Sequence, residues 1–159
     1  MILNGTGGAN THITGQYFEL KTDLKTNLEK AGIDIEKVTF CQKRDFTKLM
    51  KKYGVNMKEQ FGKEYWPDEA FIYNNHLYVI EKKNQETQGS VDEKIQTGPY
   101  KKLIFDTCAK LCKLDGATYI YLLSNSFNCN KYNRHQIPYL KQNGIPVYFD
   151  NFPIQNYFN

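Results

Sequence analysis

Asp68, Glu81 and Lys83 are the residues of this chain whose types and spacing suit hydrolytic chemistry. Asp68 follows Pro67, and Glu81 and Lys83 flank Lys82. Two carboxylates brought together repel one another unless a cation or a shared proton sits between them. Hard oxygen donors suit Mg²⁺, which keeps several waters and is usually completed by substrate phosphate oxygens. A Lys beside such a pair can hold an attacking water and help deprotonate it, provided its charge balances the site. A surface hairpin with solvated charges would carry the same residue types, so placement decides between the two.

The stretch from Trp66 to Gln85 supplies the placement. Phe71-Ile72-Tyr73 and Leu77-Tyr78-Val79-Ile80 are apolar runs of strand-forming residues on either side of Asn74-Asn75. Asn tolerates positive φ, so the pair predicts a two-residue hairpin turn. Tyr73 then faces His76, and Asp68 falls opposite Glu81. Opposed residues share a face with Cβ atoms about 4.5–5.5 Å apart. Lys83 and Gln85 join Glu81 on that face because side chains alternate with period two.

Pro67-Asp68 followed by Glu81-x-Lys83 at a strand end resembles the signature of the PD-(D/E)XK nuclease superfamily. Gln85 and the run Gly89-Ser90-Val91-Asp92-Glu93-Lys94-Ile95 are similar to the segment after that motif in bacterial type II restriction endonucleases. Asn4-Gly5-Thr6-Gly7-Gly8-Ala9-Asn10-Thr11, with Gly15 and Phe18-Glu19, resembles the start of some of those enzymes. The likeness runs from about residue 4 to about residue 124. It implies a Mg²⁺-dependent endonuclease that cuts double-stranded DNA, leaving 5′-phosphate and 3′-hydroxyl ends with no covalent intermediate. On that likeness Asp68, Glu81 and the Lys82 carbonyl hold Mg²⁺, and Lys83 orients and helps activate the water. Glu19 matches a family glutamate that faces the metal site from the first helix and helps place a second ion. Periodicity objects to Glu19. A helix over 16–31 with Tyr17, Leu20, Leu24, Leu28 and Ala31 as its apolar stripe points Glu19 nearly the opposite way. Glu19 is then either a cleft residue on the other side of that helix or an exposed acid.

A chain of 159 residues suits one domain, 1–159, with 1–13 as a Gly/Thr/Asn-rich arm. No run approaches the roughly 20 apolar residues of a membrane helix. The first residues lack a signal peptide's basic start and apolar core, giving an expectation of a cytoplasmic protein. The net charge of +4 is concentrated in residues 36–64, where eight Lys and Arg face four Asp and Glu. Such a cluster suits a polyanion, and Lys43, Arg44, Lys51 and Lys52 are its candidate DNA contacts. Lys94, Lys101 and Lys102 are placed to meet phosphates near a helix start, and Lys94 ranks first because it lies in the family-like run. Gln85 is a further site-adjacent group. Cys41, Cys108, Cys112 and Cys129 form no Cys-x-x-Cys pair and read as buried thiols.

The remaining elements predict an α/β fold with a restriction-endonuclease-like core, a mixed β-sheet flanked by helices. Ile35–Cys41 reads as a short strand or link, 44–53 as a helix and 54–65 as a connection. Ser90-x-x-Glu93 is a capping box, and a helix resumes at Gly98-Pro99 with Tyr100, Leu103, Ile104, Cys108, Leu111 and Cys112 as its apolar face. Residues 117–123 read as a central strand, 131–143 as a helix and 146–150 as a last strand. Phe127, Tyr132, Tyr157 and Phe158 are open between core packing and stacking on bases. Cutting both strands requires a homodimer, a second binding event or a nick in each orientation, and the sequence does not choose among them. The rival functions are a structure-selective or repair nuclease with the same site, and a non-catalytic nucleic-acid-binding module.

Overall fold

The computed structural model describes residues 15–84, 94–127 and 134–158. The N-terminal arm, Gln85, the Ser90 capping box, Cys129 and Tyr132 lie outside the described residues. Among the described residues five strands form one sheet: β1 (Thr39–Cys41), β2 (Glu69–Tyr73), β3 (His76–Lys83), β4 (Gly116–Leu123) and β5 (Val147–Phe149). They lie side by side in chain order; β1, β2 and β3 run antiparallel, whereas β3, β4 and β5 run parallel. Parallel neighbours need long crossovers. The helix Gly98–Leu111 (called α5 below) lies between β3 and β4, and Gln136–Gln142 (α6) between β4 and β5. Among the described residues the chain also forms the α-helices α1 (residues 15–21), α2 (Leu24–Lys30), α3 (Asp45–Lys52) and α4 (Met57–Phe61). The fold is therefore α/β, a mixed sheet flanked by helices.

Alternation along β2 and β3 divides the core in two. Ala70, Ile72, Leu77 and Val79 face α3 and α5, packing with Phe46, Met50, Phe105 and Cys108. Phe71 and Ile80 face the opposite way, onto Phe18, Leu24, Leu28 and the C-terminal Phe152, Ile154 and Phe158. Phe158 stacks on Phe71 with ring centroids 4.9 Å apart, and Phe127 is buried, so both serve packing. Tyr157 stacks on Phe152 at 4.9 Å and shares a 2.8 Å hydrogen bond with Tyr148.

Three local expectations are corrected. The helix over 16–31 is two helices, because the Asp23 carboxylate accepts from the Thr26 amide at 2.9 Å and caps a new start at Leu24. Its apolar phase is lost at that break: Phe18 and Thr22 point inward, while Tyr17 and Leu20 are 69% and 76% exposed. The connection over 54–65 contains α4, capped by Asn56 accepting from the Lys58 amide at 3.2 Å. On α5 the inner face is Ile104, Phe105, Cys108, Ala109 and Cys112, with Tyr100, Leu103 and Leu111 exposed. Phe105 sets that rotation by stacking on Tyr119 of β4 at 5.5 Å. Cys41, Cys108 and Cys112 are free buried thiols, and burial pushes Cys41 and Cys108 up to about 12, which keeps them unreactive. Among the described residues no helix is long and apolar enough to cross a membrane.

Candidate active site

Asn74 and Asn75 adopt φ of 48° and 59°, the left-handed pair of a tight hairpin turn. The ladder pairs Tyr73 with His76 and runs to Glu69 opposite Ile80. One step further lies Asp68 beside Glu81, where the strands separate. The Lys82 N–H donates to Asp68 Oδ2 at 2.7 Å, which fixes the carboxylate there. Glu81 and Lys83 share a face by alternation, and Asp68, in a bend just beyond the ladder, comes near enough for the charges of both to act on it. The Ser124 N–H donates to Lys83 O at 3.0 Å, so the odd-numbered carbonyls at this end of β3 face β4. The Lys82 carbonyl consequently faces the Asp68 side, together with its own N–H.

Glu81 is buried at 7% exposure, and Lys83 Nζ lies 2.7 Å from its Oε1. A second ammonium, Lys101 of α5, reaches the same Oε1 at 3.0 Å. Burial works to raise the Glu81 carboxyl, but the two ammonium groups outweigh it and hold the carboxyl below its usual range. Asp68 goes the other way: burial first, then the like charge of Glu81, raise it despite Lys83 and the Lys82 amide. Among the described residues Asp68 Oδ1 and Glu81 Oε2 carry no hydrogen bond, so each acid keeps one oxygen uncommitted. These two oxygens and a backbone carbonyl are the hard donor set that Mg²⁺ prefers.

The Asp68 shift has a consequence for stability. Folding holds the neutral carboxyl more readily than the unfolded chain does. The stability this lends is complete at low pH and is lost as pH climbs through the ordinary carboxylate range to the raised value. Asp68→Asn keeps an acceptor for the Lys82 N–H and removes the charge. It is expected to raise Tm at neutral pH, with the advantage shrinking toward acid pH, as thermal melts across that range would read.

Behind this face, Lys82 turns its side chain into the opposite core. Lys82 Nζ sits 3.0 Å from Glu69 Oε2 and donates to Thr22 O at 2.8 Å, the Lys82 and Glu69 side chains being 5% and 3% exposed. Glu69 Oε1 also accepts from the Leu24 N–H at 3.0 Å and Gln42 Nε2 at 3.2 Å. The pair therefore ties the α1–α2 break to the strands that carry the site. A cleft of about 450 Å³ opens over it, lined by Glu19, Asp23, Lys43, Asp68 and Lys82 among others. Glu19 is thus a cleft residue, although its side chain is 55% exposed and lies 3.5 Å from Lys43 Nζ. Its charge adds to the upward push on Asp68.

Of the candidate DNA contacts, Lys43 borders the cleft, and its N–H donates to Pro67 O at 2.9 Å, next to Asp68. Arg44 lies over the Trp66 ring at 4.8 Å, leaving Trp66 a partly exposed packing anchor. Lys51, Lys52 and Lys94 are exposed, the first two in the last turn of α3. Lys102 is paired with Asp106 on its own helix. Sequence reading missed the Glu69–Lys82 pair, for which the signal was an acid two residues before Phe71, on the apolar Phe71 face of the strand. It also missed the hydroxyls of Tyr119 and Tyr121, buried without hydrogen-bond partners among the described residues. Burial and the charge of Glu81 raise the Tyr119 hydroxyl well above its usual value. An unpaired buried hydroxyl costs about 1–3 kcal/mol. Tyr119→Phe is therefore expected to leave stability unchanged or raise it by about 1 kcal/mol in urea unfolding.

Among the described residues no group of three or more His, Cys, Asp or Glu gathers to hold a metal ion; the site here rests on two carboxylates and a carbonyl. No family model, curated protein or solved structure matches the chain.

Proposed function

We infer that this protein is a divalent-metal-dependent endonuclease of double-stranded DNA with a PD-(D/E)XK site on a restriction-endonuclease-like core. Its reading as a type II restriction enzyme follows from the resemblance. The observation that carries the inference is the hairpin end, where Asp68, Glu81, Lys83 and the Lys82 carbonyl converge. A buried Asp68 held beside a second acid opposes stability, and with one oxygen of each acid uncommitted the arrangement suits a function. Asp68, Glu81 and the Lys82 carbonyl would hold Mg²⁺. When bound, the ion would lower the pKa of a water and offset charge on the scissile phosphate. Lys83 would donate to that water and orient it, its positive charge favouring the hydroxide that forms. Glu19, across the cleft from Asp68, is the acid best placed to assist a second ion. Lys43, Arg44, Lys51 and Lys52 carry the positive charge expected along a DNA backbone.

Supercoiled plasmid incubated with the protein and Mg²⁺ is expected to give discrete fragments with 5′-phosphate ends, and none with EDTA. A smear would indicate a nonspecific nuclease of the same chemistry. Cutting confined to branched or mismatched DNA would indicate a structure-selective enzyme. Binding without cuts in any divalent metal would overturn the assignment.

A further inference from the structure

Lys101 stands outside the motif, yet its ammonium is as close to Glu81 as a hydrogen bond allows. It arrives from α5, 20 residues along the chain from Glu81, and meets Oε1 at 3.0 Å. Lys83, two residues away on the same strand, already supplies one ammonium to that oxygen at 2.7 Å. The placement of Lys101 is built into the fold. A Cβ at Gly98 would come within 2.9 Å of both Tyr121 Cε2 and Leu140 Cδ2, so only glycine lets α5 start this close to β4. Tyr121 is the register partner of Glu81, and Lys101 sits one turn into the helix. Its side chain is 28% exposed, so the ammonium reaches solvent from the rim of the site.

Charge counting gives this contact a role. In the structure two carboxylates, Asp68 and Glu81, are matched by two ammonium groups, Lys83 and Lys101. A divalent cation would leave the cluster with two excess positive charges, while an incoming phosphodiester brings negative charge to the same rim. Lys101 is the ammonium on the separate element, free to turn without disturbing β3. Resting on the nuclease reading above, we propose that Lys101 is a displaceable counter-ion: it holds Glu81 Oε1 in the free protein, is driven off by charge repulsion when a divalent cation takes the uncommitted oxygens of the two acids, and then contacts the phosphate being cut. It thereby competes with the metal in the free protein and assists the substrate in the complex.

The test uses the full chain with Mn²⁺ as probe. Isothermal titration of Mn²⁺ into Lys101→Met, without DNA, is expected to show about tenfold tighter binding than wild type, the value of one charge-assisted hydrogen bond removed from Glu81. At saturating Mn²⁺ the same variant is expected to cleave plasmid about tenfold or more slowly, with Lys101→Arg restoring most of the rate. A merely structural Lys101 would lower Tm and leave Mn²⁺ affinity unchanged or weaker, and that result overturns the proposal. A wild type that binds Mn²⁺ and cuts DNA, with Lys101→Met indistinguishable from it, overturns this inference alone. A wild type that neither binds nor cuts overturns both this inference and the nuclease reading.

Discussion

Lys83→Ala is expected to slow cleavage of plasmid DNA by about 10²–10⁴-fold, the usual contribution of a positioned proton-transfer group. The fold should survive, because Lys101 remains on Glu81 Oε1 at 3.0 Å and the acid is not left without a cation. Lys83 is itself 21% exposed, so its removal opens no cavity in the core. Thermal unfolding should therefore shift little while turnover collapses. Lys83→Arg keeps the charge but replaces a compact ammonium with a planar, delocalised guanidinium that cannot take its place beside the water, so it should keep Tm without restoring the rate. Equal loss of Tm and activity in Lys83→Ala would assign the residue to structure alone.

Lys82→Met is expected to have the largest effect on stability. It removes the ammonium from a pair whose side chains are 5% and 3% exposed and strands Glu69 in the core. Breaking a buried pair from one side costs about 3–5 kcal/mol. For a domain of this size that corresponds to a fall in Tm on the order of 10 °C. Burial already raises the Glu69 carboxyl, against the pull of Lys82, and losing Lys82 raises it further. The unfolded chain then releases the proton at lower pH than the folded one. The deficit is greatest above the raised value and narrows in acid. Adding Glu69→Gln to Lys82→Met removes the stranded charge and should recover much of the loss. A single variant as stable as wild type would show that the pair contributes nothing. The pair also bears on the site, because anchoring the Lys82 side chain holds the backbone whose N–H and carbonyl face Asp68.

The hairpin was legible because its signals are local. Asn-Asn supplies two residues that accept positive φ, and apolar alternation on both sides leaves one register that buries Ala70, Ile72, Leu77 and Val79 together. Once that register holds, Glu81 and Lys83 must share a face and Asp68 must fall at their end of the hairpin. Glu19 was not legible, since its direction was judged by carrying a helical phase across Thr22-Asp23. An Asp that can cap a helix also ends the one before it, and the phase restarts there. The rotation of α5 was misjudged for a related reason: Leu103 and Phe105 are equally apolar, and only the ring of Tyr119 on the neighbouring strand selects Phe105. Lys101 was legible only as one of three basic residues near a helix start, not as a partner of Glu81. Its contact with Glu81 depends on how tightly the β3–α5–β4 crossover closes at Gly98, a long-range packing property.

Soaking Mn²⁺ into crystals of the protein and recording its anomalous scattering tests the cation cradle directly. The expected result is a peak within coordination distance of Asp68, Glu81 and the Lys82 carbonyl oxygen, with Lys101 withdrawn from Glu81. Mn²⁺ bound only elsewhere, with both lysines still on Glu81, would contradict the account.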